Sequence, residues 1–170
     1  MLQPLLQLHN KIEDNRNLFS DAGLAPIAFI DIFRSQPYQP ELYEYFPLPA
    51  LFVDYSMRGK GISQSRIVTM TLHILTDEMP DASNISEQKQ EGLRRFMYNL
   101  IIQQLLEGSK LGATTKLKLI SEDVIDAPVI NYHTQTYEFE AHIADMMGNI
   151  NEVLGQFETL NIFGNLRRNL

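Results

Sequence analysis

Residues 66–77 read RIVTMTLHILTD, and the alternation in this stretch decides the fold class. Val68, Met70, Leu72 and Ile74 fall on one side of an extended chain, and Thr69, Thr71 and His73 on the other. A period of two over this length is the signature of a strand with one face in the core and one in water. Just upstream, ALFVDY (50–55) is a second strand-like run, and SMRGKG (56–61) joins the two. The pair reads as a hairpin with a glycine-containing loop. Asp77, Pro80, Asp81, Ser83 and Asn84 end the second strand.

Downstream, Ser86 is placed to cap a helix of about 20 residues, with Glu87 and Glu91 near the positive end of its dipole. Leu93, Phe96, Met97, Leu100, Ile101 and Leu105 form its apolar stripe, and Gly108 suits its C-terminal end. KLKLIS (116–121) reads as a strand and SEDVIDAP (121–128) as a turn region. Residues 134–143 alternate again, with Tyr137, Phe139, Ala141 and Ile143 on one face and Thr136, Glu138, Glu140 and His142 on the other. Upstream of the hairpin, Leu5, Leu8 and Ile12 follow Pro4 at helical spacing. IAFIDIF (27–33) favours a strand, with a helical turn as the alternative. The stretch 34–49 holds Pro37, Pro40, Pro47 and Pro49 with Tyr38, Tyr43, Tyr45 and Phe46. The prolines exclude a regular element, and the aromatics predict an ordered arm rather than a flexible linker.

These elements predict an α+β fold: one antiparallel sheet of four to five strands with two main helices packed on one face. The body is expected over residues 1–145. Residues 146–170 form a C-terminal extension in which Ile150, Val153, Leu154 and Phe157 have the spacing of an amphipathic helix, although Gly148 and Gly155 weaken it. Rich in large apolar residues, among them Leu160, Ile162 and Phe163, and with few charges, this extension either packs on its own sheet or forms an interface. The tyrosine-rich arm permits the same two readings.

Composition bounds the function. The 170 residues suffice for one domain that needs no disulfide or metal staple. Hydrophobic residues make up 44% and charged residues 21%, which excludes wholesale disorder and a coiled-coil rod. No apolar run has the length of a membrane span, and MLQPLLQLHNKIEDN lacks the charged region and cleavage site of a signal peptide. The absence of cysteine removes thiol catalysis and thiolate metal sites. A net charge of −7 argues against general nucleic-acid binding, which needs a basic face.

No chemical constellation emerges from spacing. The histidines His9, His73, His133 and His142 include no close pair of the kind a metal site uses. His133 and His142 are predicted to face opposite sides of their strand, while His73 and His142 both fall on wet faces and are candidates to meet across the sheet, beside Glu138 or Glu140. Paired carboxylates do acid–base work only when one is desolvated, and here they alternate with core residues like ordinary strand surface. GKGISQS (59–65) has the wrong spacing for a phosphate loop and precedes a strand. Arg58, Lys60 and Arg66 make this hairpin tip the densest positive spot of an acidic chain, suited to an acidic surface on a neighbour. No catalytic, cofactor-binding or metal-binding residue is assigned. The interface candidates are Arg58, Lys60, Tyr38, Tyr43, Tyr45, Ile150, Val153, Leu154 and Phe157.

The order of elements over residues 1–145 resembles that of tail-terminator and tail-completion proteins of long-tailed bacteriophages. FPLPALFVDY (46–55) is similar to a Phe-x-x-Pro-Ala-Val-Phe-Val/Ile-Glu segment in prophage-encoded proteins of Bacteroidetes-type bacteria, with Phe46, Pro49, Ala50, Leu51, Phe52 and Val53 at matching places and Asp54 where an acidic residue is expected. The proline-rich arm and the 146–170 extension depart from that pattern. The resemblance implies a non-enzymatic structural protein that forms a homo-oligomeric ring, commonly hexameric, at the tail end or head–tail junction. It further implies other tail or head-completion proteins as partners, no specific nucleic-acid or membrane binding and no cofactor. The protein would reside in the bacterial cytoplasm during assembly and then in the virion. A ring fits the physics, because closure needs two different complementary patches on each subunit. An acidic lumen, to which Glu138 and Glu140 would contribute, suits passage of DNA. Two other readings stay open. One is a small α+β binding module with a cavity lined by Met70, Leu72, Phe96 and Tyr137. The other is an enzyme using the face of His73, Glu138, Glu140 and His142.

Overall fold

Strand β3 (Ser65–Thr76) lies at the centre of the sheet. It pairs antiparallel along its whole length with β5 (Asn131–His142) on one side and with β2 (Ala50–Gly59) on the other. The sheet order is β1-β2-β3-β5-β4, with β1 (Phe29–Ile32) and β4 (Lys118–Ile125) at the edges. The computed structural model describes residues 1–39, 45–61, 64–77, 82–127 and 130–147.

The α+β class and the five strands agree with expectation, but the sheet is mixed. Strand β1 joins β2 in parallel, Phe29 opposite Ala50 and Ile32 opposite Val53. Such a connection needs a long crossover, and residues 33–49 supply it. The hairpin is longer than predicted, because β2 runs through Arg58 and Gly59 instead of turning at Ser56. Residues 121–125, read as a turn, continue β4 after an irregularity between Leu119 and Ser121.

Helices cover one face. Helix α1 (Leu2–Asp14) buries Pro4, Leu8 and Ile12, and α2 (Arg16–Asp21) buries Phe19. The predicted 20-residue helix is two pieces, α3 (Lys89–Leu93) and α4 (Phe96–Leu106), and Ser86 accepts a hydrogen bond from the Gln88 N–H ahead of them. Gly108 closes α4 at a φ of 70°, where a side chain would be strained. Short α5 (Ile143–Met147) follows β5 and places Met146 in the main core, so the expected boundary at 145/146 falls inside a helix. The core under the helices joins Leu51, Val53, Val68, Met70, Leu72, Ile74 and Tyr137 of the sheet to Leu8, Ile12, Phe19, Tyr98, Ile102 and Leu106.

The other face of the sheet carries a second, smaller core of Ala50, Phe52, Leu75 and Tyr132. The described part of the arm closes over it. Phe46 stacks on Phe29 and meets Phe52 edge-on at 4.9 Å, and Tyr38 tilts against Tyr132 at 5.9 Å. Leu48 and Phe33 add to this cluster, and the Leu48–Pro49 bond is cis. The aromatic reading of the arm therefore holds for its two ends.

Candidate interaction surfaces

The histidines and carboxylates singled out in the sequence do not assemble into one site. His73 is buried, not wet: its ring lies flat against Phe33 at 3.9 Å, and Nδ1 is 2.6 Å from the Tyr132 hydroxyl. Burial pushes its pKa down, with Asp54 opposing. In register His73 faces Thr134 while His142 faces Ser65, so the two histidines sit at opposite ends of the β3–β5 pair. His133 lies under α4, 2.9 Å from Asn99 Nδ2, and burial followed by the nearby Arg95 charge lowers its pKa. As the alternation predicts, His133 and His142 take opposite faces. Among the described residues no three histidine or carboxylate groups are placed to hold a metal ion.

Glu138 and Glu140 are structural partners of the hairpin. Arg58 reaches Glu138 at 3.3 Å and Lys60 reaches Glu140 at 2.8 Å, both across β3. The positive tip inferred from the sequence is thus paired within the chain, and it is not a free cationic patch. Tyr38 is largely exposed beside the second core and Tyr45 is 93% exposed. Tyr43, Ile150, Val153, Leu154 and Phe157 lie outside the described residues.

Of the four residues expected to line a cavity beneath the helix, three form part of the core. Met70, Leu72 and Tyr137 are fully buried in the core, and Phe96 lies on the surface. A polar brace lies beside them. The Tyr137 hydroxyl donates to Gln135 Oε1 at 2.9 Å, and Gln135 Nε2 donates to the Asn99 carbonyl at 2.9 Å. Asn99 in turn binds His133. Burial raises the Tyr137 pKa, and Glu107 and Glu122 raise it further.

That brace explains the surface the sequence misplaced. It draws Asn99 inward, so α4 buries Tyr98, Asn99, Ile101, Ile102 and Leu106. Leu93, Phe96, Met97 and Leu100, expected in the core, are instead 37–55% exposed. They form a ridge along the outside of α3 and α4. The Phe96 ring meets His133 edge-on at 5.7 Å, and the strand partner of His133 is Val124, which is 69% exposed. Helix α4 therefore covers β5 but leaves the helix-side face of edge strand β4 open. Between them lies a recess of about 290 Å³, bounded by Arg95 and Phe96 on one wall and by Val124, Ile125 and Ile130 on the other.

The fold is similar to that of a chain from the virion of a native gene transfer agent particle. The TM-score is 0.51 at 10% sequence identity, over 81% of this chain and 93% of that one. At this identity the likeness is one of architecture. No protein family and no curated protein matches the sequence.

A second apolar surface lies at the far end of the hairpin. Tyr55 and Met57 are on the face that carries Leu51 and Val53 further up β2, yet they are 37% and 46% exposed. Strand β1 ends opposite Val53, so among the described residues Asp54–Gly59 have no partner strand on that side. A bare edge with apolar side chains is a template for pairing unless something covers it.

Proposed function

We propose that this protein is a structural component of a phage-like particle and acts as a homo-oligomeric ring at the tail end or the head–tail junction. The observation that carries this reading is the shared architecture, which spans nearly the whole of a chain from a gene transfer agent virion. Two surfaces of this chain support it. The α3–α4 ridge with its recess and the open hairpin end differ in shape and lie on different elements. A closed ring requires two such unlike patches on each subunit. In this reading Tyr38 and Tyr45 belong to the contact surface, and Arg58 and Lys60 hold the hairpin straight by pairing with β5. The partners are further copies of the chain and other tail or head-completion proteins. The protein resides in the bacterial cytoplasm during assembly and in the particle afterwards.

Light scattering on the full chain, from micromolar to millimolar, tests the proposal together with negative-stain imaging. A mass that rises to one closed multiple, seen as rings, is the expected result. A monomer at every concentration overturns the ring.

A further inference from the structure

We propose that the sheet continues from copy to copy: the outer half of β2 in one subunit pairs antiparallel with edge strand β4 of the next, Met57 opposite Val124. This inference rests on the ring reading, and it names the contact that closes the ring. Among the described residues both partners are exposed edges. Strand β1 stops opposite Val53, and no strand lies beyond β4. Both edges hold apolar side chains in the open, Tyr55 and Met57 on one and Val124 on the other. A bare edge of this kind is a template for another strand.

Backbone, face and charge agree on one register. The Phe33 N–H reaches the Val53 carbonyl on the outer side of β2, so Met57 and Gly59, an even number of residues on, turn their own N–H and C=O groups the same way. On the other edge, the Thr115 N–H reaches the Glu140 carbonyl of β5. Even-numbered residues of β5 therefore point toward β4, and Glu122 and Val124, opposite Gln135 and His133, turn their backbone outward. Met57 and Val124 also share the helix-side face, the first in step with Leu51 and Val53, the second as partner of His133. Setting Met57 opposite Val124 puts Gly59 opposite Glu122, which gives two outward pairs. On the other face it puts Arg58 opposite Asp123, unlike charges in register. A slip of two residues sets Arg58 opposite Ser121 or Ile125 instead. The Arg58 side chain keeps Glu138 on its inner side and is 70% exposed, so its forked guanidinium has donors for both carboxylates. Asp54 marks where the contact stops, because its carboxylate already accepts the Tyr55 N–H at 2.7 Å.

Strand directions agree as well. Strands β2, β3, β5 and β4 alternate in direction, so a copy set in the same orientation beside β4 presents its β2 antiparallel to it. The two edges are unlike patches, so the contact runs head to tail and closes as a ring. Met57 of the incoming copy then covers Val124 beside the recess that α4 leaves open.

The substitution Met57→Pro blocks the outward pairing and spares the β3 ladder, because the N–H it removes points away from β3. In light scattering, ring assembly of this chain should be weaker than that of a Met57→Ala chain by about ten-fold to a hundred-fold, at an equal urea midpoint. Equal assembly of the two overturns the edge pairing. If the proline chain fails to fold, cysteines decide, since the chain has none of its own. Under mild oxidation, Met57→Cys chains mixed with Val124→Cys chains should link to each other, and chains carrying both substitutions should give a ladder of linked oligomers. Links among Met57→Cys chains alone mean back-to-back pairing and overturn the inference, as does the absence of any link. Rings that assemble without the 57–124 link refute the edge pairing alone, whereas a parent chain that stays monomeric refutes the ring as well.

Discussion

Along strand β2, Ala50–Val53 and Asp54–Gly59 live in different surroundings. The first four residues are fully buried, because helices cover Leu51 and Val53 while the aromatic arm covers Ala50 and Phe52. The last six are exposed, have no strand on their outer side among the described residues, and are steadied by the ion pairs that Arg58 and the adjoining Lys60 make to β5. Both stretches share one register with β3. Pairing with β3 is thus not what separates them; the second strand, β1, and the cover over both faces are. The inner half carries stability, and the outer half is left free to contact something else.

Substitutions in the two halves should therefore differ by an order of magnitude. Phe52→Ala removes the ring that Phe29 and Phe46 pack against, and should cost about 3–5 kcal/mol in urea unfolding. A cost below about 1 kcal/mol would mean that the arm does not hold the second core. Tyr132→Phe strips the hydroxyl from buried His73 and should cost about 1–3 kcal/mol. Acid should act on the inner half as well. Burial lowers the pKa of His73 and His133 below the ordinary histidine value of about 6.5, so the unfolded chain takes up protons first. Stability is then complete above that value and falls as the pH drops through it toward the folded pKa. The urea midpoint measured from pH 8 to pH 5 should decline in that window, and a flat profile would place both rings in water. On the outer half, Arg58→Ala breaks an exposed pair and should cost only about 0.2–1 kcal/mol, less in high salt. Met57→Ala should stay within about 0.5 kcal/mol of the parent chain.

The sequence made the inner architecture legible where periodicity alone decides it. Val68, Met70, Leu72 and Ile74 are buried as the alternation says, and Tyr137, Phe139 and Ala141 face the same core. Two features were out of reach. The direction of β1 is set by where the 33–49 connection leads, and four residues of strand carry no sign of it. The inward face of α4 is set by a polar residue: Asn99 turns in because its Nδ2 meets His133 and Glu122, more than twenty residues away, while Gln135 binds its backbone carbonyl. A hydropathy stripe counts such a residue as surface and rotates the helix the wrong way, which is how Leu93, Phe96, Met97 and Leu100 came to be assigned to the core. The same error hid the recess beside β4. The ion pairs of the charged tip were out of reach for a related reason, since the partners of Arg58 and Lys60 are 80 residues downstream.

The pairing of β3 with β5 also sets a clock on synthesis. The hairpin of β2 and β3 is local and closes within about 1–10 μs once residue 76 is free. Its other edge must wait until β5 begins at Asn131, 55 residues after Thr76 (131 − 76 = 55). At about 5–20 residues per second that wait lasts roughly 3–11 s, during which the strand destined for the middle of the sheet has one side bare. A second nascent chain nearby offers the same bare side. The more slowly the message is translated and the more ribosomes share it, the more often two unfinished copies meet before either can complete itself.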